Sequence, residues 1–188
     1  YDTSGVEPAA NLTLSGDVGW VGGWGLDLRG GKAQASTAAS RKLARMIKTT
    51  GEFSVEAWVV PGNVTQEGPA RIISYSAGTG ARNFTLGQTQ YSYDFLVRSS
   101  RTDGNGEPAL STPNAAQVLQ ATQQHVVLTY TPSAGRRIYV NGRLIEPTDD
   151  GGGSLADWDD TYALVLGNEA SNDRPWQGKL RFVAIYNR

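Results

Sequence analysis

The stretches GEFSVEAWVV at 51–60 and HVVLTYTPSAGRRIYVNG at 125–142 decide how this sequence is read. In the first, Phe53, Val55, Ala57 and Val59 alternate with Ser54, Glu56, Trp58 and Val60. A period of two sends the two sets to opposite faces of a sheet. In the second, two β-rich runs flank a Thr-Pro-Ser-Ala-Gly turn, and the stretch ends at Asn141-Gly142. Asn-Gly is a strong hairpin signal, because both residues tolerate positive φ. Both stretches read as half-buried antiparallel strands, and the fold they predict is an all-β sandwich.

Further strands are expected at 71–76, 82–88, 91–99, 162–167 and 178–186. Turn signals separate them at Pro61-Gly62-Asn63, Gly78 to Gly80, Asp103 to Gly106 and the acidic DDGGGSLADWDD of 149–160. One short helix is expected near 40–48, capped by Ser40 and ended by Thr49-Thr50-Gly51, with Leu43, Met46 and Ile47 on one face. Residues 100–124 show no periodicity and read as an ordered loop with one helical turn.

The 188 residues fit a single domain over 1–188, large enough to hold a core without staples. There is no cysteine, so disulfides and thiolate metal sites are excluded. A net charge of −1, from 17 basic and 18 acidic residues, gives no global field to attract nucleic acid or an anionic membrane. No apolar run approaches the roughly 20 residues that span a bilayer, so no membrane insertion is expected. The chain opens on Tyr1 rather than Met, and it is read as a fragment of a larger protein whose other domains are partners.

FSVEAW at 53–58, HVVLTY at 125–130, YVNG at 139–142, LGN at 166–168 and GKLRFVAIY at 178–186 form an ordered set of motifs. In order and spacing this set resembles the laminin G-like branch of the concanavalin A-like lectin/glucanase superfamily, over residues 50–188. The resemblance implies a jelly roll of two antiparallel sheets packed face to face. LVLGNEASNDRPWQG at 164–178 is similar to the calcium loop of pentraxins. That likeness implies calcium as the one expected cofactor, with Glu169 as a ligand and Asn83 and Asp173 as the others. Ser171 stands where the pentraxin pattern has an aspartate. Calcium takes about six to eight oxygen ligands, several of them carboxylates.

A polysaccharide or glycan is the expected ligand, bound at a loop-lined edge formed by 78–83 and 168–176 or on the concave sheet face. Asn83, Glu169, Asn172, Asp173 and Trp176 are the leading candidates, followed by Arg82, Arg98, Trp158 and Arg174. Aromatic rings stack on the apolar face of a sugar. Guanidinium groups bind hydroxyls and uronate carboxylates in bidentate fashion. Trp20 and Trp24, in a glycine-rich run, are expected to pack internally. The aspartates 149, 150, 157, 159 and 160 lack EF-hand spacing and read as a solvated acidic loop.

Acid–base hydrolysis needs two carboxylates about 5–10 Å apart. Only Glu52 and Glu56, four apart on one strand, suggest such a pair, and Glu56 is expected to pair with an arginine such as Arg98 or Arg71. His125 is the only histidine, which leaves no histidine metal cluster and no nucleophile–base dyad. The expected function is a non-catalytic carbohydrate-binding or adhesion module of an extracellular, bacterial, multidomain protein, in an extracellular, cell-surface or periplasmic setting. The alternatives are a protein-interaction or spacer domain, which predicts buried Trp158 and Trp176 and no edge cleft, and a divergent glycosidase or lyase.

Overall fold

A computed structural model describes residues 1–22 and 25–188. Trp24 lies outside the described residues. In chain order the elements are β1 (Thr13–Ser15), β2 (Val18–Trp20), β3 (Leu26–Arg29), β4 (Lys32–Gln34), α1 (Thr37–Thr50), β5 (Phe53–Pro61), β6 (Ala70–Gly78), β7 (Ala81–Thr89), β8 (Ser92–Val97) and β9 (Leu110–Ser111). They continue as a 3₁₀ turn (Asn114–Ala116), β10 (Gln124–Thr131), β11 (Gly135–Val140), β12 (Arg143–Ile145), β13 (Ala163–Leu166) and β14 (Gln177–Tyr186). Two seven-stranded antiparallel sheets result. One has the order β1-β4-β13-β6-β7-β8-β9 and the other β12-β11-β10-β5-β14-β3-β2. This is the two-sheet sandwich that the alternation predicted.

Burial on β5 follows its alternation: Phe53, Val55, Ala57 and Val59 are buried. They meet Tyr75, Phe84, Leu86 and Phe95 of the first sheet in a single hydrophobic cluster. Phe53 lies at its aromatic centre, with ring centroids 5.3 Å from Phe84, 5.6 Å from Tyr130 and 5.1 Å from Trp158. Burial of such rings is the main stabilising term, at about 25 cal/mol per Å² removed from water. At the Asn-Gly site, Asn141 (φ 51°) and Gly142 (φ 79°) make the two-residue turn between β11 and β12.

The helix differs from its prediction. It starts three residues earlier, with Ser36 as its cap: Ser36 Oγ accepts from the Ala39 amide at 3.1 Å. Ser40 is instead an interior residue, buried, donating to Ser36 O and accepting from the Leu164 amide of β13. Residues 100–124 hold β9 and the 3₁₀ turn.

The outer faces of the two sheets differ. On the first, Ser74, Ser76, Thr85 and Leu96 are buried although they point away from the core. The loop at 103–107 lies against Leu96 and Val97, and Glu169 bonds to Ser76. On the second sheet, Ser54, Glu56, Trp58 and Val60 of β5 reach the surface, at least in part.

Candidate functional site

The loop-lined edge predicted as the binding site is largely an internal polar network. Glu169 is fully buried. Its Oε2 accepts from Arg71 Nε at 3.1 Å and its Oε1 from Ser76 Oγ. Ser76 continues to Ser74 and Thr85 by hydroxyl hydrogen bonds. Asn83 is buried and uses both ends of its amide on the backbone of Asp159, donating at 2.7 Å and accepting at 2.9 Å. Of the three expected calcium ligands, Glu169 faces a guanidinium and Asn83 a peptide. Asp173 is exposed and accepts from Ser171 Oγ at 2.7 Å.

Trp158 and Trp176 do not present ring faces to a ligand. Trp176 is fully buried and donates its indole N–H to Gln88 Oε1 at 2.8 Å. Trp158 joins the aromatic core and donates to the Arg98 carbonyl at 2.7 Å. In each case a polar group of the protein takes the indole N–H, so the ring is an anchor for its loop. Arg82 is buried, Arg98 is half-buried, and Asn172 and Arg174 are exposed.

A groove of about 690 Å³ runs between the C-terminal end of α1 and residues 156–160, lined by Arg45, Lys48 and three aspartates. The acidic run is therefore partly neutralised: Asp160 lies 3.4 Å from Arg41 and 3.6 Å from Arg45. Asp149 sits elsewhere, paired with Arg136 at 2.7 Å.

Trp20 overturns its packing expectation. It is 69% exposed on β2, the edge strand of its sheet. A sheet face was the alternative location for the ligand, and the outer face of the second sheet carries residues that were not among the candidates. There Trp58 stands directly across from Phe182 on β14 and from His125 on β10. Trp58 is 38% and Phe182 42% exposed. The His125 ring stacks on Trp58 at 4.8 Å and 25°. Glu56 holds the imidazole through Oε1 to Nε2 at 2.8 Å and accepts from Tyr186 OH at 3.2 Å. Glu56 thus pairs with His125, not with Arg98 or Arg71. The next row continues through Val127 and Tyr139 to exposed Leu144. The apolar strip crosses five strands, a width of roughly 19 Å at ordinary strand spacing. Its signal was present: Trp58 shares its alternation phase with Ser54 and Glu56, the polar set.

A seven-on-seven antiparallel sandwich with one α-helix among the described residues defines a jelly roll. The family model described as concanavalin A-like lectin/glucanases superfamily, Laminin_G_3, matches residues 29–188, and the chain belongs to that family. No curated protein matches the sequence. Among solved structures, the binding domain of botulinum neurotoxin DC in complex with rat synaptotagmin II is similar, with a TM-score of 0.69 at 14% identity over 96% of this chain and 44% of that one. The receptor binding domain of the botulinum neurotoxin C/D mosaic serotype gives 0.63 at 15% identity, over 95% and 44%. A botulinum neurotoxin type C structure, whose cell entry depends on interaction with two ganglioside molecules, gives 0.65 at 16% over the same shares. The chain spans less than half the length of these structures, and at such identities the likeness is one of fold.

Proposed function

We propose that this chain is a non-catalytic carbohydrate-binding module whose ligand lies across the outer face of the second sheet. The observation that carries the reading is the Trp58–Phe182 cross-strand pair, two large aromatic rings left exposed beside hydrogen-bonding His125, Glu56 and Tyr186. Rings supply the stacking surface for the apolar face of a sugar, and the flanking polar groups suit its hydroxyls. The His125–Glu56 contact holds Trp58 from one side, which lowers the ordering cost of binding. Hydrolysis is not part of the proposal, because both oxygens of Glu56 are engaged, by His125 and Tyr186.

Affinity electrophoresis against a panel of soluble polysaccharides tests this. One glycan should retard the wild type, and Trp58→Ala and Phe182→Ala should each abolish the retardation while the domain stays folded. Retardation that survives both changes moves the site elsewhere. No retardation by any glycan favours the second reading, a protein-interaction domain. That reading is supported by the burial of Trp158 and Trp176, which it predicted.

A further inference from the structure

Among the described residues, Arg82 is the one buried cation whose surroundings do not account for it. It lies on β7 opposite Ser76, on the closed outer face of the first sheet, and is 1% exposed. A guanidinium carries five N–H donors. Nη2 donates to the Thr79 carbonyl, and Nε is buried with no partner. The carboxylates around it are committed elsewhere. Glu169 is held by Arg71 and Ser76. Asp103 accepts from the amides of Asn105 and Glu107, and Glu107 from that of Ala109. None of them forms an ion pair with Arg82. Arg71 adds a like charge: burial first, and then Arg71, push the Arg82 guanidinium down to about 10. Glu169, Glu107 and Asp103 act on Arg82 in the opposite direction without bonding to it, and a buried guanidinium N–H left without a partner is rare in native structures.

We propose that Arg82 is the anion-recognition residue of a second site, at the rim where the 78–80 hairpin, the 103–107 loop and the 168–174 loop converge. Its ligand is an oxyanion, a carboxylate or a sulfate, free in solution or carried on an acidic sugar. The cover over Arg82 is thin. The Arg82 amide reaches the Gly104 carbonyl at 3.5 Å, and a Cβ added at Gly104 or at Gly80 would meet nothing within 4 Å. Exposed Arg174 stands on the third loop and offers a second cation, while the Ser171 hydroxyl beside it is turned to Asp173. Planar guanidinium suits a carboxylate or sulfate better than any neutral hydroxyl, because two parallel charge-assisted hydrogen bonds form at once. The site shares no residue with the Trp58 face and stands independently of the glycan reading.

The test is thermal melting of the whole 188-residue chain with sodium sulfate or sodium glucuronate, against glucose and against sodium chloride at matched ionic strength. Saturable stabilisation by an oxyanion, absent with glucose and chloride, is expected. Arg82→Met should weaken the apparent affinity by roughly tenfold or more, the worth of a charge-assisted hydrogen bond, while Trp58→Ala should leave it unchanged. Stabilisation by sulfate alone identifies a free anion as sufficient. Stabilisation by glucuronate only identifies a sugar-borne one. Should Arg82→Met fail to fold, the Nε resonance of Arg82 in ¹⁵N-labelled wild type replaces it, and a saturable shift on sulfate or glucuronate titration is expected. An unmoved Nε resonance, no saturable stabilisation of the wild type, or full retention of it in Arg82→Met overturns the proposal and leaves buried water as Arg82's partner.

Discussion

Arg71 and Glu169 are joined across 98 residues of sequence, with side chains 2% and 0% exposed. Desolvating two charges costs several kcal/mol each, and their mutual attraction offsets this only while both are present. Burial pushes the Arg71 guanidinium below its ordinary value, and Glu169 acts in the opposite direction. Removing one partner should therefore cost more than removing both. Arg71→Met alone is expected to destabilise by about 3–5 kcal/mol, and Arg71→Met with Glu169→Gln by clearly less. Urea denaturation of the four members of the cycle measures it, and strict additivity would show that the two side chains do not act as a pair. The same contact bears on calcium. With both oxygens of Glu169 engaged, melting curves in calcium and in EDTA should superimpose, whereas a calcium-dependent rise of several degrees would mean that the ion displaces Arg71. The glutamate after LGN reads the same in sequence whether it faces a cation or an arginine, because its partner lies on another strand. Trp58 was legible by contrast, since a tryptophan in the polar phase of an alternating strand must either reach solvent or meet another layer.

Among the elements, β14 shows how a motif glycine serves packing. A Cβ at Gly178 would stand 2.4 Å from the Trp176 ring and 2.6 Å from the Val60 carbonyl oxygen, neither of which can yield cheaply. Gly178→Ala should destabilise by about 1–3 kcal/mol through overpacking, read as a lower denaturation midpoint with an unchanged slope. An unaffected midpoint would mean that the Trp176 ring moves freely. The long strands β5, β10 and β14 were legible because each holds several periods of alternation. The short strands β1, β2, β4, β9 and β12, of two or three residues, were missed because so few residues do not complete two periods. The start of α1 was misplaced for a different reason. Ser36 and Ser40 are equally good caps in sequence, and only the β13 amide that Ser40 accepts draws it into the helix interior.

At the scale of the whole molecule, one sheet is closed by its own loops and the other is open, and the chain's first residues brace α1 beside the closed sheet. Lys42 of α1 donates to Asp2 Oδ2 at 2.5 Å and to the Val6 carbonyl at 2.5 Å. Asp2 also accepts from the amides of Ala10 and Ser4. Partial burial raises the Asp2 carboxyl, but Lys42 and the two amides outweigh it and hold the group well below its ordinary 3.8. A carboxyl lowered by folding stabilises the folded state above its unfolded value and loses that contribution as pH falls through the folded one. Wild type should therefore melt higher than Asp2→Asn at pH 6, and the gap should close as the pH is taken below 3.8. Asp94, raised by burial, works in the reverse sense, but it is common to both proteins and cancels in the difference. A gap that stays constant from neutral pH to strong acid would show that Asp2 acts by shape rather than charge, and that the N-terminal segment is held by its packing on α1 alone.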